Sequence, residues 1–129
     1  MQLGYTIVYV ADPGASLTFF ERAFGLVRRF LHESGTYGEL ETGATTLAFA
    51  QHAIARDNLG HDYVAADTSH VPLGMEIGLL SADVPAAVQR AVDAGATLLK
   101  APATKPWGQT VAYVRTPDGT LVELCTPMG

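Results

Sequence analysis

Glu123 is the acidic residue whose setting first points to chemistry. It lies between Val122 and Leu124 in a strand-like run that follows a Pro-Asp-Gly turn. In a strand, Glu123 shares one face with Leu121 and Cys125, while its direct neighbours take the other face. Because an unpaired carboxylate is costly to bury, we expect Glu123 to face a pocket or a wet sheet edge.

The four histidines do not form a recognisable metal-binding pattern. None has HxH or HxxxH spacing to another, and His52, His61 and His70 fall in or beside one polar segment, whereas His32 is on a separate strand. We therefore interpret them as exposed loop histidines. The alternative is that His52 or His61 covers a pocket if that segment acts as a lid.

Trp107 is a candidate for holding an aromatic ligand. If the last hairpin pairs Arg115 opposite Leu121, then Trp107 and Tyr113 share the face of Glu123. An indole there would form a flat apolar wall with one N–H donor. The alternative is a tryptophan in the core or in a dimer interface.

Composition excludes several classes of partner. The chain has 129 residues, 48% of them hydrophobic, and a net charge of −5, so we expect a globular protein that binds neither nucleic acid nor a membrane surface. It contains no apolar run of about 20 residues and no basic leader followed by an apolar stretch. The single cysteine fits a reducing compartment. We expect a cytoplasmic location.

The elements that must position these residues repeat along the chain. Residues 3–10 alternate as a strand, Asp12 and Pro13 start a helix that ends at Gly25, and three strand-like runs follow. The pattern returns with a strand at about 74–80, a helix capped by Asp83, and strands at about 96–100, 109–115 and 120–125. A shift of 71 residues superimposes the two halves, and the segment 51–73 between them is interpreted as a long loop.

Several motifs make the chain resemble a known family, namely residues 16–26 (SLTFFERAFGL), 83–87 (DVPAA), 94–96 (AGA), 106–109 (PWGQ) and 115–124 (RTPDGTLVEL). They are similar to the vicinal oxygen chelate superfamily, which contains glyoxalases, ring-cleaving (extradiol) dioxygenases, fosfomycin-resistance enzymes and bleomycin-resistance proteins. The resemblance covers nearly the whole chain. The same scaffold hosts enzymes and pure binders, so it predicts the fold more closely than the activity.

The resemblance implies an α+β fold of two βαβββ modules, at about 1–50 and 74–129, joined by the 51–73 loop in a single domain over 1–129. Their curled, mixed, mainly antiparallel sheets are expected to form half-barrels with the helices on the convex sides. The concave faces would hold the ligand, often across a homodimer, and we expect a homodimer here.

The resemblance also assigns candidate metal positions, on the first and last strands of each module. They fall on Tyr5, Glu76, about Ala48, and Glu123. Alanine offers no ligand atom and a neutral phenol is a rare metal ligand, so no complete metal site is expected. Glu76 and Glu123 would then share a proton, bind a weakly held Mg²⁺ or Mn²⁺, or join a structural network with a base such as Arg115.

These observations predict a small-molecule-binding protein of the glyoxalase/bleomycin-resistance type. It would sequester an amphipathic or aromatic ligand in the concave groove, through Tyr5, Ile7, Ala48, Glu76, Trp107, Tyr113 and Glu123. The first alternative is a metal-dependent glyoxalase-like lyase or dioxygenase that uses Glu123, with Glu76, as a ligand to a divalent metal. The second is a protein–protein interaction module.

Overall fold

Two four-stranded sheets and three helices make up the computed structural model, which describes residues 1–128. The first half contains β1 (Tyr5–Val10), α1 (Pro13–Phe24), β2 (Val27–Leu31), β3 (Tyr37–Glu41) and β4 (Thr46–Gln51). The connecting segment contains α2 (His52–Leu59) and a 3₁₀ turn (Ala66–Thr68). The second half contains β5 (Glu76–Leu80), α3 (Val84–Ala94), β6 (Thr97–Thr104), β7 (Thr110–Arg115) and β8 (Leu121–Cys125).

The two sheets have the same topology. Their strand orders are β1-β4-β3-β2 and β5-β8-β7-β6. In each sheet the first pair is parallel and the other two are antiparallel, so β1 and β5 are both edge strands. The predicted α+β fold of two βαβββ modules is confirmed, and neither sheet closes on itself.

Helices α1 and α3 begin and end as their sequences predict. The carboxylate of Asp12 accepts a hydrogen bond from the Ala15 N–H at 3.2 Å, and Asp83 accepts one from the Ala86 N–H at 3.1 Å. Gly25 ends α1 at φ 69°, a left-handed conformation that glycine adopts without a steric penalty. The 71-residue repeat therefore corresponds to a real structural repeat.

One apolar core is shared by the two halves. Helices α1 and α3 pack against each other. Helix α1 covers one face of the first sheet and α3 covers one face of the second, and we call this covered side of each sheet its inner face. Leu17, Phe20, Val84 and Val88 from the helices are buried there, as the helical spacing predicts. The opposite side, the open face, carries Tyr5, Ile7, Ala48 and Glu39 in the first sheet and Glu76, Tyr113 and Glu123 in the second.

Two expectations about elements are wrong. The segment 51–73 is not a structureless loop, because helix α2 and the 3₁₀ turn occupy much of it. Strand β6 continues to Thr104, whereas the sequence predicted that it ends near residue 100, because bulges let it stay paired with β7. None of the helices in residues 1–128 combines the length and apolar character needed to span a membrane.

Candidate functional site

A cavity of about 310 Å³ lies where the edge strands β1 and β5 approach each other. Its walls are mostly apolar, and they come from β1, the connecting segment, β5 and the turn before β8. The lining residues are Thr6, Ile7, Val8, Tyr9, Tyr63, Val64, Ala66, Leu73, Met75, Glu76, Ile77, Gly119, Thr120 and Leu121. The volume is within the range of sites that hold small organic molecules.

The Pro-Asp-Gly turn before β8 brings the connecting segment onto this cavity. Gly119 has φ 84°, and a Cβ atom there would lie 2.1 Å from the carbonyl oxygen of Ala66. Only glycine allows so close an approach of two backbones. The turn that the sequence identified as the start of β8 therefore also determines one wall of the cavity.

Arg115 holds the same segment in place. Its guanidinium donates to the carbonyl oxygens of Ala66 (3.1 Å), Ser69 (2.9 Å) and Gly119 (3.1 Å), and to His70 O at 3.4 Å. The suggested pairing of Arg115 with the glutamates is thus wrong, because its donors are used by backbone carbonyls. The planar, five-donor guanidinium suits such a cluster of acceptors.

Glu76 and Glu123 lie on the same open face of paired strands. Glu76 is opposite Leu121 and Glu123 is opposite Gly78, so the two carboxylates are diagonal neighbours. Partial removal from water, followed by the charge of Glu123, raises the pKa of Glu76. Neither glutamate forms an ion pair with Lys or Arg within residues 1–128.

Glu123 is instead bonded to Tyr113. The Tyr113 hydroxyl donates to Glu123 Oε1 at 2.8 Å, and this bond, with burial, raises the pKa of Tyr113 to about 12. The predicted register is confirmed, because Arg115 pairs with Leu121 and Tyr113 with Glu123. Trp107 does not extend this face as expected. It lies in the turn before β7, 62% exposed, because β7 begins only at Thr110, and its indole N–H donates to Gln109 Oε1 at 2.8 Å.

The open face of the first sheet is occupied by an ion network that the sequence analysis missed. Arg29 donates to Glu39 at 2.9 Å and to Glu41 at 2.8 and 2.9 Å, and the Tyr37 hydroxyl donates to Glu39 at 2.7 Å. Burial and this bond raise the pKa of Tyr37. The sequence did contain a signal for this network. Glu39 and Glu41 are two residues apart on one face of β3, where both can pair with Arg29 on the neighbouring strand β2.

The first-sheet residues predicted to contact a ligand have different surroundings. Ala48 is fully buried next to this network, whereas Tyr5 is 58% exposed and Ile7 lines the cavity. Of the seven predicted contact residues, the structure brings Ile7 and Glu76 together at the cavity. Tyr5, Ala48, Trp107, Tyr113 and Glu123 do not line it.

His52 is not the exposed loop histidine that we expected. It begins α2, is half-buried, and bonds Tyr63 through Nδ1 at 2.5 Å and Asp67 through Nε2 at 2.8 Å. His32, His61 and His70 are exposed, as expected. The spacing of residues 52, 63 and 67 in the sequence matches no motif that would predict this contact. It follows only from the fold of the connecting segment.

Polar atoms without a partner mark two places near the cavity. Thr120 Oγ1 and Asp67 Oδ1 are buried, and neither has a hydrogen-bond partner among residues 1–128. Thr120 itself lines the cavity. Thr120 Oγ1 itself has almost no exposed surface, so the hydroxyl does not face the cavity.

The residues at the four candidate metal positions, Tyr5, Ala48, Glu76 and Glu123, do not fit a catalytic metal centre. In the described chain, no three His, Cys, Asp or Glu side chains converge in a way that would hold an ion. Ala48 contributes no donor atom, and Tyr5 contributes a phenol. A catalytic centre for a divalent metal usually has about three protein ligands, and the four candidate positions supply only the carboxylates of Glu76 and Glu123.

Comparison with known structures shows the same fold in several proteins. A glyoxalase-related enzyme from Fulvimarina pelagi is 22% identical, with a TM-score of 0.83 over 98% of this chain and 88% of that one. A glyoxalase/bleomycin resistance protein/dioxygenase family enzyme from Burkholderia phytofirmans PsJN is 22% identical, with a TM-score of 0.79 over 98% of both chains. TioX from Micromonospora sp. ML1 is 20% identical, with a TM-score of 0.68 over 98% of both.

Sequence comparison gives the family. No protein with a curated description matches the chain significantly. The sequence profile of the Glyoxalase/Bleomycin resistance protein/Dioxygenase superfamily, however, matches residues 2–124, which is almost the whole chain. The protein therefore belongs to the glyoxalase/bleomycin resistance protein/dioxygenase superfamily.

Proposed function

We propose that the protein binds an amphipathic or aromatic small molecule in the cavity between β1 and β5, without a catalytic metal. The observation that carries this proposal is the cavity itself, about 310 Å³ in volume with largely apolar walls. Apolar walls with a few convergent polar groups are typical of small-molecule sites. The polar groups here include Glu76.

The charges favour a ligand with a cationic or hydrogen-donating group. Glu76 and Glu123 lie close enough for the charge of one to raise the pKa of the other. Arg115, the base nearest in the sheet, is bonded to backbone carbonyls. A cation in the cavity would offset the repulsion between the carboxylates and draw the pKa of Glu76 down again.

The ligand would be oriented by two kinds of contact. Its apolar body would pack against side chains such as Ile7, Tyr9 and Leu121, and its donor group would reach Glu76. A hydrogen bond to a charged partner contributes about 1.5–3 kcal/mol. Glu123 would act on such a ligand through its charge, because it lies outside the cavity wall.

Two fluorescent dyes of opposite charge provide the test, with chelator-treated protein. We expect the cationic aromatic dye thioflavin T to bind more tightly than the anionic dye 1-anilinonaphthalene-8-sulfonate. Glu76→Gln should weaken thioflavin T binding about tenfold, or ~1.4 kcal/mol, and change binding of the anionic dye by less than about twofold.

Glu33→Gln is the matched control, because it removes the same charge from an exposed turn. It should leave the affinity for both dyes unchanged. Binding of thioflavin T that requires an added divalent metal would contradict the proposal and favour the lyase or dioxygenase alternative. Failure of both dyes to bind would favour the interaction module.

A further inference from the structure

Tyr63, His52 and Asp67 form a hydrogen-bonded chain beside the cavity. The Tyr63 hydroxyl oxygen is 2.5 Å from His52 Nδ1, and His52 Nε2 is 2.8 Å from Asp67 Oδ2. The tautomer with its proton on Nε2 satisfies both bonds: Nε2–H donates to Asp67, and the Tyr63 hydroxyl donates to Nδ1. This order of groups is the one in which an imidazole, oriented by a carboxylate, takes a proton from a hydroxyl nucleophile.

The ring of Tyr63 is fixed in the cavity wall. The centroid of Tyr9 lies 4.9 Å from that of Tyr63, and the guanidinium carbon of Arg56 is 4.7 Å from the Tyr63 ring centroid. After donating its proton to His52, the phenol oxygen keeps lone pairs with which to attack. A reactive group held in one orientation is a requirement for efficient catalysis.

The charges around the chain act on Tyr63 in both directions. Burial and the negative charges of Asp67 and Asp62 raise the pKa of Tyr63, so its oxygen needs a base, whereas the positive charge of Arg56 acts in the opposite direction. Asp67 contacts the imidazole, and Asp118 lies near enough to interact with its charge. The negative charge of Asp67 beside the imidazole would stabilise the imidazolium that the transfer creates, so activation of the phenol depends on the base that its hydroxyl contacts.

Asp67 bears a second sign of function. Its Oδ1 atom is buried and has no hydrogen-bond partner in residues 1–128. A network that served stability alone would gain from pairing this oxygen, because an unsatisfied buried acceptor is costly. The contact of Asp67 with the chain is therefore the bond between Oδ2 and His52 Nε2.

We propose that Tyr63 is a nucleophile that accepts an acyl group from an activated ester or related acyl compound held in the cavity. The phenol oxygen forms a bond to the carbonyl carbon, its proton passes to His52 Nδ1, and the bond to the leaving group breaks. The leaving group then takes the proton from His52. Asp67 is a positioning residue for His52. The inference rests on the cavity as a binding site.

N-acetylimidazole is a suitable small acyl donor for the test. Peptide mass spectrometry gives the acetylation rate of each tyrosine separately, and Tyr5, which is 58% exposed, serves as an internal control for accessibility. We expect Tyr63 to react at least tenfold faster than Tyr5. His52→Gln and Asp67→Asn should slow acetylation at Tyr63 at least tenfold and leave the rate at Tyr5 unchanged.

The pH profile separates a chemical role of His52 from a structural one. The rate at Tyr63 should fall in acid, because a general base acts only in its unprotonated form, and this fall should be missing from the rate at Tyr5 and from the His52→Gln variant. A Tyr63 rate no faster than that of Tyr5, or unchanged by His52→Gln, would overturn the proposal. Thioflavin T binding by the same variants shows separately whether the cavity still binds ligands.

Discussion

Thr120 is the residue whose hydroxyl most plainly lacks a partner at the cavity. Its Oγ1 atom is buried without a hydrogen bond in the described chain, and valine has nearly the same shape without the hydroxyl. We expect Thr120→Val to leave the free energy of unfolding unchanged or to raise it, because an unpaired polar atom is removed.

The same substitution should change the affinity for thioflavin T by less than about twofold, because Thr120 Oγ1 has almost no surface open to the cavity. Titration of wild-type and variant protein with the dye measures it. Weakening by about tenfold or more would mean that the hydroxyl contacts the ligand.

Glu76 should make stability depend on pH in an unusual direction. Its pKa in the folded protein is raised above the ordinary value of 4.5, so between the two values the folded state binds more protons than the unfolded state. The free energy of unfolding contributed by Glu76 therefore falls as pH rises from about 4.5 through the raised pKa.

Urea unfolding across this pH range checks the sign. Glu76→Gln should lose less stability than the wild type as pH rises, because the amide does not ionise. Glu33→Gln again provides the control for charge. A Glu76→Gln variant whose stability runs parallel to that of the wild type at every pH would show that Glu76 titrates alike in both states.

At the scale of elements, the turn before β8 joins the two parts of the cavity wall. Gly119→Ala adds a Cβ atom that would lie 2.1 Å from Ala66 O, at a backbone φ of 84°. We expect a loss of about 3 kcal/mol from overlap and backbone strain together. Gly35→Ala is the matched control: φ is 74°, but nothing lies within 4 Å of its Cβ, so about 1 kcal/mol should be lost.

Thermal unfolding with hydrogen exchange distinguishes the causes. In Gly119→Ala, protection should fall first in the 66–70 segment, which Arg115 holds through its carbonyls. If Gly35→Ala is equally destabilised, the loss reflects backbone conformation alone and not the approach of Ala66.

The elements show what local pattern can and cannot predict. Alternation, aspartate caps and glycine stops predicted the two modules and the register of the last hairpin, because these features depend on residues close in sequence. Helix α2 was missed, since it has no side-chain cap and only Ala55 is buried on it. Three other features arise from contacts between distant segments, so they leave no periodic pattern in the sequence. They are the hydrogen-bonded chain from Tyr63 through His52 to Asp67, the hydrogen bonds from Arg115 to the 66–70 segment, and the cavity.

The whole molecule presents apolar side chains on its open faces. Leu80 is 68% exposed on the edge strand β5, and Phe30 is 40% exposed on β2. A single chain gains nothing from exposing them together. We expect a homodimer that covers part of this surface.

Light scattering after size exclusion measures the mass in solution. The wild type should have twice the mass of the chain at micromolar concentration, and Leu80→Glu should shift the equilibrium toward the monomer because it places a charge in the contact. Glu33→Gln should not. A monomer at every concentration up to about 100 µM would contradict the homodimer.

The position of a bound ligand shows whether the cavity between β1 and β5 is the binding site. The measurement is the change in backbone amide NMR shifts of chelator-treated protein on addition of thioflavin T. We expect the shifts to change at residues 6–9, 63–66, 73–77 and 119–121, the segments around the cavity. Changes confined to the open face around Tyr113 and Glu123, or changes that appear only after a divalent metal is added, would contradict it.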